Sequence, residues 1–148
     1  MNTVAAMPSA IVNAKVLYTA KVHTAGSRDG GASLSDDQRL NIKHSLPGAP
    51  GSGTNPEQLL AAGWSACFQG ALGIAAKKMK VTIPSGTSID AEVDLILAGD
   101  SYSLGARLNV NVPGLSREVV EALVAAAHQT CPYSKALTGK IPIVLNVI

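Results

Sequence analysis

The sequence predicts one α+β domain over residues 1–148 with the element order β-β-β-α-β-β-α-β, and three observations carry that prediction. Short runs with strand-like alternation group around two helical stretches, so strands and helices are not strictly interleaved. One of those stretches, residues 59–76, holds no charged residue and follows a set of helix-start signals. The chain is 148 residues long, 47% apolar and 15% charged, which suffices for one sizeable core and argues against disorder. Aromatics make up only 3%, so that core is assembled from Ala, Val, Leu and Ile.

The first strand is expected at 15–24, where Val16, Tyr18, Ala20 and Val22 fall on one face. Gly26, Asp29, Gly30 and Gly31 mark the turn after it, and that turn carries Arg28. Short strands at 32–35 and 39–46 complete an N-terminal meander, and 47–54 (PGAPGSGT) is a loop by composition. The long helix begins after Asn55, a favoured N-cap. Pro56 then suits the first helical position, and Glu57 lies where the macrodipole favours an anion. Lys77, Lys78 and Lys80 cluster where cations suit its C-terminal end. In the strand at 90–95, Asp90, Glu92 and Asp94 alternate with Ala91, Val93 and Leu95, which reads as a solvated strand face rather than a metal site. The strand at 107–112 points Leu108, Val110 and Val112 inward. Ser116 caps a second helix, 117–130, with an apolar stripe of Val119, Leu123 and Ala126 or Ala127, and 141–147 is the last strand.

Several function classes fall away. Twelve basic against ten acidic residues leave a net charge of +2, with neither a basic face nor stacking aromatics for nucleic acid. Two cysteines, Cys67 and Cys131, are too few for a disulfide-stapled secreted scaffold, and no CxxC spacing points to zinc. His23, His44 and His128 are scattered, so no metal is expected. Asn13, Lys15 and Lys21 interrupt the apolar pieces of residues 1–22, so no leader is expected and a reducing cytoplasmic location is. There, two thiols are either inert packing or redox chemistry. Residues 59–76 lie at the lower edge of membrane-spanning length, but Ser65 and Gln69 interrupt a stretch rich in Ala and Gly. A buried helix of a soluble protein, with no membrane contact, is the expectation.

Gly63, Ala66, Gly70 and Gly73 follow helical spacing on one face of the long helix. Each interior glycine costs about 1 kcal/mol relative to alanine, so another backbone is expected to approach there. The same helix of a second subunit and this chain's own second helix both fit. Cys67 lies beside that face, amid Trp64, Phe68 and Leu72. Cys131 precedes Pro132, which disfavours helical geometry at the thiol and opens a short turn through Tyr133, Ser134 and Lys135. That places Cys131 near a helix N-terminus, where a thiolate is favoured. By themselves the residues fit either two inert buried cysteines or a reactive pair.

The segments NPEQLLAAGWSACFQGAL (55–72) and AHQTCPYSKA (127–136) closely resemble the two cysteine motifs of organic hydroperoxide resistance proteins, thiol peroxidases of the OsmC-like superfamily. The turn SRDGG (27–31) matches a third family segment that carries an arginine, and only residues 1–12 lie outside the resemblance. The resemblance implies an OsmC-like fold, with curved sheets around a long central helix in an intertwined homodimer. It implies that Cys67 is the peroxidatic thiol and Cys131 the resolving one, with Arg28 and Glu57 completing the site. It also implies a dithiol reductant such as dihydrolipoamide on a lipoylated protein, and no metal, flavin or haem cofactor.

The chemistry explains those residue types. A thiolate attacks the peroxide, yet an apolar helix raises a cysteine's pKa. A guanidinium offsets this with permanent charge, and its fork can bind the peroxide and the departing alkoxide. Glu57 then serves to hold Arg28 through a bidentate pair. Attack leaves a sulfenic acid on Cys67, which condenses with Cys131 to a disulfide. Trp64, Phe68 and Leu72 are expected to line the substrate side and to favour an organic peroxide over hydrogen peroxide. Glu57 and Cys67 stand about 15 Å apart along a continuous helix. Two shared sites are therefore expected, each with Cys67 and Cys131 from one chain and Arg28 with Glu57 from its partner. A non-catalytic dimer that binds a small apolar ligand is the competing reading, and a structural disulfide in a secreted protein a third.

Overall fold

A computed structural model describes residues 14–148, so the expectations for residues 1–12 and for Asn13 lie outside the described residues. The chain falls into two compact units, one ending at Gly53 and one running from Thr54 to Ile148.

The first unit is an antiparallel meander of β1 (Val22–Ala25), β2 (Ala32–Ser35) and β3 (Asn41–Lys43), in that order. The strand expected at 15–24 is shortened to β1. A strand needs a partner ladder, and β2 offers four residues, pairing Val22 with Ser35 through Ala25 with Ala32. Val16 and Tyr18 stand 77% and 78% exposed. The strand expected at 39–46 contracts likewise to β3.

The second unit opens with α1 (Pro56–Met79), a single unbroken helix. Asn55 caps it as expected, its Oδ1 accepting the Gln58 N–H at 2.9 Å, with Pro56 in the first turn. Lys77 and Lys78 sit in its last turn, and Lys80 ends it in left-handed geometry, its N–H directed to the Ala76 and Lys77 carbonyls. β4 (Ser88–Ala98) and β5 (Ser101–Asn111) form a long antiparallel hairpin closed by Gly99 and Asp100. β6 (Ile143–Val147) adds parallel to β5. Between β5 and β6 come α2 (Arg117–Thr130), capped by Ser116, and the short α3 (Pro132–Leu137). The proline turn expected after Cys131 is thus a full short helix. The element order otherwise follows the prediction.

The core joins α1, α2 and β5 through Trp64, Phe68, Leu72, Leu108, Val110 and Leu123, all fully buried. Each such side chain contributes about 1.5–3 kcal/mol by leaving water. The buried stripe of α2 is Val120, Leu123, Val124 and Ala127, with Val119 and Ala126 only flanking it, so the helix is rotated from the expected face. The carboxylates of β4 do form a solvated strand face: Arg107 donates to Glu92 at 2.6 Å and to Asp94 at 2.6 and 2.9 Å. α1 is long and apolar enough to cross a membrane by length and composition alone. Its large side chains Trp64, Phe68 and Leu72 instead belong to this core.

Candidate functional site

α1 and the α2–α3 joint bring the two thiols together. Cys67 lies near the middle of α1, half-buried, and Cys131 is fully buried where α2 ends and α3 begins. Pro132 dictates that joint: Cys131 adopts φ −64°, ψ 123°, outside helical geometry. Its N–H still closes α2 on the Ala127 carbonyl at 2.8 Å, and its carbonyl accepts the Lys135 N–H that starts α3. The Cys131 thiol points at Cys67 Sγ across 3.3 Å, and both cysteines are free. A disulfide brings the sulfurs to about 2.05 Å, so a shift of little more than 1 Å closes the bond.

Burial pushes the Cys67 thiol above the ordinary cysteine pKa, and the adjoining Cys131 sulfur pushes it further, while the backbone N–H of Tyr133 in α3 works in the opposite direction. Attack on a peroxide needs the thiolate. The site as built within this unit therefore calls for a further stabiliser of negative charge.

Trp64, Phe68 and Leu72 are each fully buried, so none presents surface to a substrate; they form the apolar backing of α1. Glu57 is half-buried in the first turn of α1, ten residues ahead of Cys67 on the same continuous helix. Arg28 belongs to the other unit, on the Gly26–Gly31 turn. Positive φ at Gly26 (78°) and Gly30 (76°) shapes that turn, and a Cβ at Gly31 would collide with the Ser27 backbone. His44 fastens it from below: the Gly30 N–H donates to the His44 carbonyl at 3.0 Å, and the His44 N–H to Gly31 O at 2.8 Å. The His44 ring, itself buried, shares a 2.7 Å hydrogen bond with Ser33 Oγ, which shares another of 2.7 Å with Thr24 Oγ1. This polar line across the meander holds the base of the Arg28 turn.

The small-residue face of α1 divides in two. A Cβ at Gly63 would stand 2.7 Å from the Tyr133 hydroxyl, so the close approach there is by α3 of the same chain. A Cβ at Gly70 or Gly73 would meet nothing within 4 Å among the described residues, and Ala66 is exposed beside them. Sequence reasoning missed a second link between α1 and α3, the hydrogen bond from Trp64 Nε1 to Ser134 Oγ at 3.1 Å. Seventy positions separate those residues, and neither a spacing nor a period signals the pair. Among the described residues no group of three or more His, Cys, Asp or Glu is placed to hold a metal.

Residues 49–146 match the family model described as OsmC-like protein. The organic hydroperoxide resistance protein of Xanthomonas axonopodis pv. citri is 42% identical over 136 residues, covering 90% of this chain and 96% of the relative. OhrA of Bacillus subtilis is 41% identical over 138 residues, covering 88% and 96%. The crystal structure of Bacillus subtilis OhrB superposes with a TM-score of 0.85 at 40% identity, covering 90% of this chain and all of that one.

Proposed function

Because this chain belongs to the OsmC-like family, among its organic hydroperoxide resistance proteins, we propose that it is a cysteine-based peroxidase that reduces organic hydroperoxides, fatty-acid hydroperoxides included, to alcohols in oxidative-stress defence. The observation that carries this reading is the pair of free thiols, one half-buried and one fully buried, 3.3 Å apart. Such a pair is poised for one sulfur to be oxidised and the other to capture it.

In this reading the Cys67 thiolate attacks the outer peroxide oxygen. The O–O bond breaks, the alkoxide takes a proton and leaves as alcohol, and Cys67 is left as sulfenic acid. The Cys131 sulfur then attacks Cys67 Sγ, the S–O bond breaks, and hydroxide leaves with the Cys131 proton as water. Arg28 supplies the charge that lowers the Cys67 pKa and steadies the departing oxygen, and Glu57 aims Arg28. The disulfide returns to two thiols by exchange with an external dithiol, a dihydrolipoyl group on a partner protein. A reducing cytosol keeps the pair ready between turnovers.

We place the working form as a homodimer with two shared sites. The unbroken α1 keeps Glu57 about 15 Å from Cys67 within one chain. The open face at Ala66, Gly70 and Gly73 suits close approach of a second α1.

The deciding experiment titrates thiols before and after one equivalent of cumene hydroperoxide. Loss of both thiols together, reversed by dihydrolipoamide, is expected. Two thiols that persist while the protein takes up the hydroperoxide unchanged would make it a non-catalytic binder of small apolar ligands.

A further inference from the structure

Beside the Tyr133–Gly63 contact, two side-chain hydrogen bonds join α1 to α3 and its N-cap residue, offset by the same step along both. One is the thiol pair Cys67–Cys131; the other is Trp64–Ser134, three residues earlier on α1 and three later along α3. A single contact leaves a six-residue helix free to rotate about it, whereas two contacts a turn apart fix both distance and rotation. Trp64 and Ser134 are each fully buried, so the indole N–H and the hydroxyl depend on one another for a partner.

Behind Ser134 the chain of hydrogen bonds continues. The Thr138 hydroxyl donates to the Ser134 carbonyl at 2.6 Å, and the Thr138 N–H donates to the same oxygen at 2.9 Å. Thr138 Oγ1 shares a further hydrogen bond of 3.3 Å with His128 Nε2. The other ring nitrogen of His128, Nδ1, is buried and has no hydrogen-bond partner among the described residues. His128 lies on the last turn of α2, so the line runs from α2 through α3 to α1.

We propose that Trp64, Ser134, Thr138 and His128 are positioning residues for the second step of the reaction, holding the Cys131 end of α3 so that the Cys67 sulfenic acid closes to a disulfide before a second hydroperoxide reaches it. The inference rests on the reading of Cys67 and Cys131 as the reacting pair. In the competing path the sulfenic acid takes an oxygen from another hydroperoxide and becomes sulfinic acid, releasing a second alcohol. A misplacement of about 1 Å at reacting atoms costs up to about a hundredfold in rate, so loosening α3 shifts the partition while sparing the first attack.

The test treats the full-length reduced protein with graded cumene hydroperoxide, without reductant, and measures Cys67 disulfide against sulfinic acid by mass spectrometry, with the first-step rate from stopped flow. In Ser134→Ala the first step is expected within about twofold of wild type, and the sulfinic share about tenfold higher at equal peroxide. Thr138→Val, at an exposed position, is expected to raise that share several-fold, and Thr138→Ser, which keeps the hydroxyl, to return it to the wild-type level. A wild-type partition in both Ser134→Ala and Thr138→Val overturns the proposal. So does a first step slowed as much as closure, which would mark general loosening. Wild-type protein that forms neither disulfide nor sulfinic acid overturns the peroxidase reading itself, and this inference with it.

Discussion

The Tyr133 phenol lies over Gly63, close enough that a Cβ on Gly63 would stand 2.7 Å from the hydroxyl oxygen. Gly63 is one helical turn before Cys67, and the Tyr133 backbone N–H acts on the Cys67 sulfur. Gly63 therefore lets α3 settle against α1 beside the thiol, whereas a Cβ at Gly70, two turns further on, would meet nothing within 4 Å among the described residues.

The two glycines are expected to respond differently to alanine. Gly70→Ala gains up to about 1 kcal/mol of helix stability in the separated chain. It also fills the groove a second α1 would enter, so self-association weakens. Gly63→Ala leaves association unchanged but displaces Tyr133 and slows thiol oxidation. Sedimentation and denaturant unfolding read both. Association of Gly70→Ala at wild-type strength would remove that face of α1 from the dimer.

Cys67→Ser is expected to abolish peroxide reduction, and Cys131→Ser to permit one oxidation without normal turnover, because in the proposed reaction one sulfur attacks and the other only resolves. Stopped-flow consumption of one equivalent of peroxide separates them. Rapid consumption by Cys67→Ser would reverse the roles.

The raised Cys67 pKa also sets a direction for stability against pH. The folded chain holds this proton more tightly than the unfolded chain. The resulting stabilisation is complete below the ordinary cysteine value near 9.0 and is lost as pH rises from there through the folded value. With the Arg28 charge removed, as in Arg28→Ala, the unfolding free energy of the reduced protein is therefore expected to fall with pH above that value, and adding Cys67→Ser to flatten the fall. Parallel curves for the two proteins would contradict the assignment of that proton to Cys67.

Helix boundaries were legible because their causes are local. Asn55 and Pro56 start α1, Ser116 starts α2, and Pro132 ends α2 at Cys131. The length of β1 was not, since it is set by how few residues β2 presents to it. The thiols could be singled out by their motifs, but their 3.3 Å approach depends on how α3 packs on α1. Gly63, Gly70 and Gly73 share a period in sequence, yet only the path of α3 decides which of them is filled from within the chain. Trp64, Phe68 and Leu72 are apolar for the core as much as for any substrate, and composition does not distinguish the two.

Arg28→Lys is expected not to be conservative. Lysine keeps the charge but lacks the planar fork that engages a carboxylate and a peroxide together. The Cys67 pKa should rise and the oxidation rate fall by about tenfold or more. Wild-type kinetics would show that charge alone, or nothing at this position, matters.

The shared-site arrangement yields to complementation. α1 is continuous from Pro56 through Cys67, so one chain cannot fold Glu57 back along the helix towards its own thiol. An arginine held by Glu57 spans only part of the about 15 Å between them. If Arg28 and Glu57 serve the partner's thiols, a Cys67→Ser subunit still offers an intact arginine, and an Arg28→Ala subunit still offers intact cysteines. Each homodimer is inactive, but a mixed dimer holds one complete site beside one that lacks both groups. Mixing the two variants under conditions of proven subunit exchange is expected to recover about a quarter of wild-type activity, because half the dimers are mixed and each carries one of two sites. A mixture that stays inactive despite exchange would place all four residues in one chain's site.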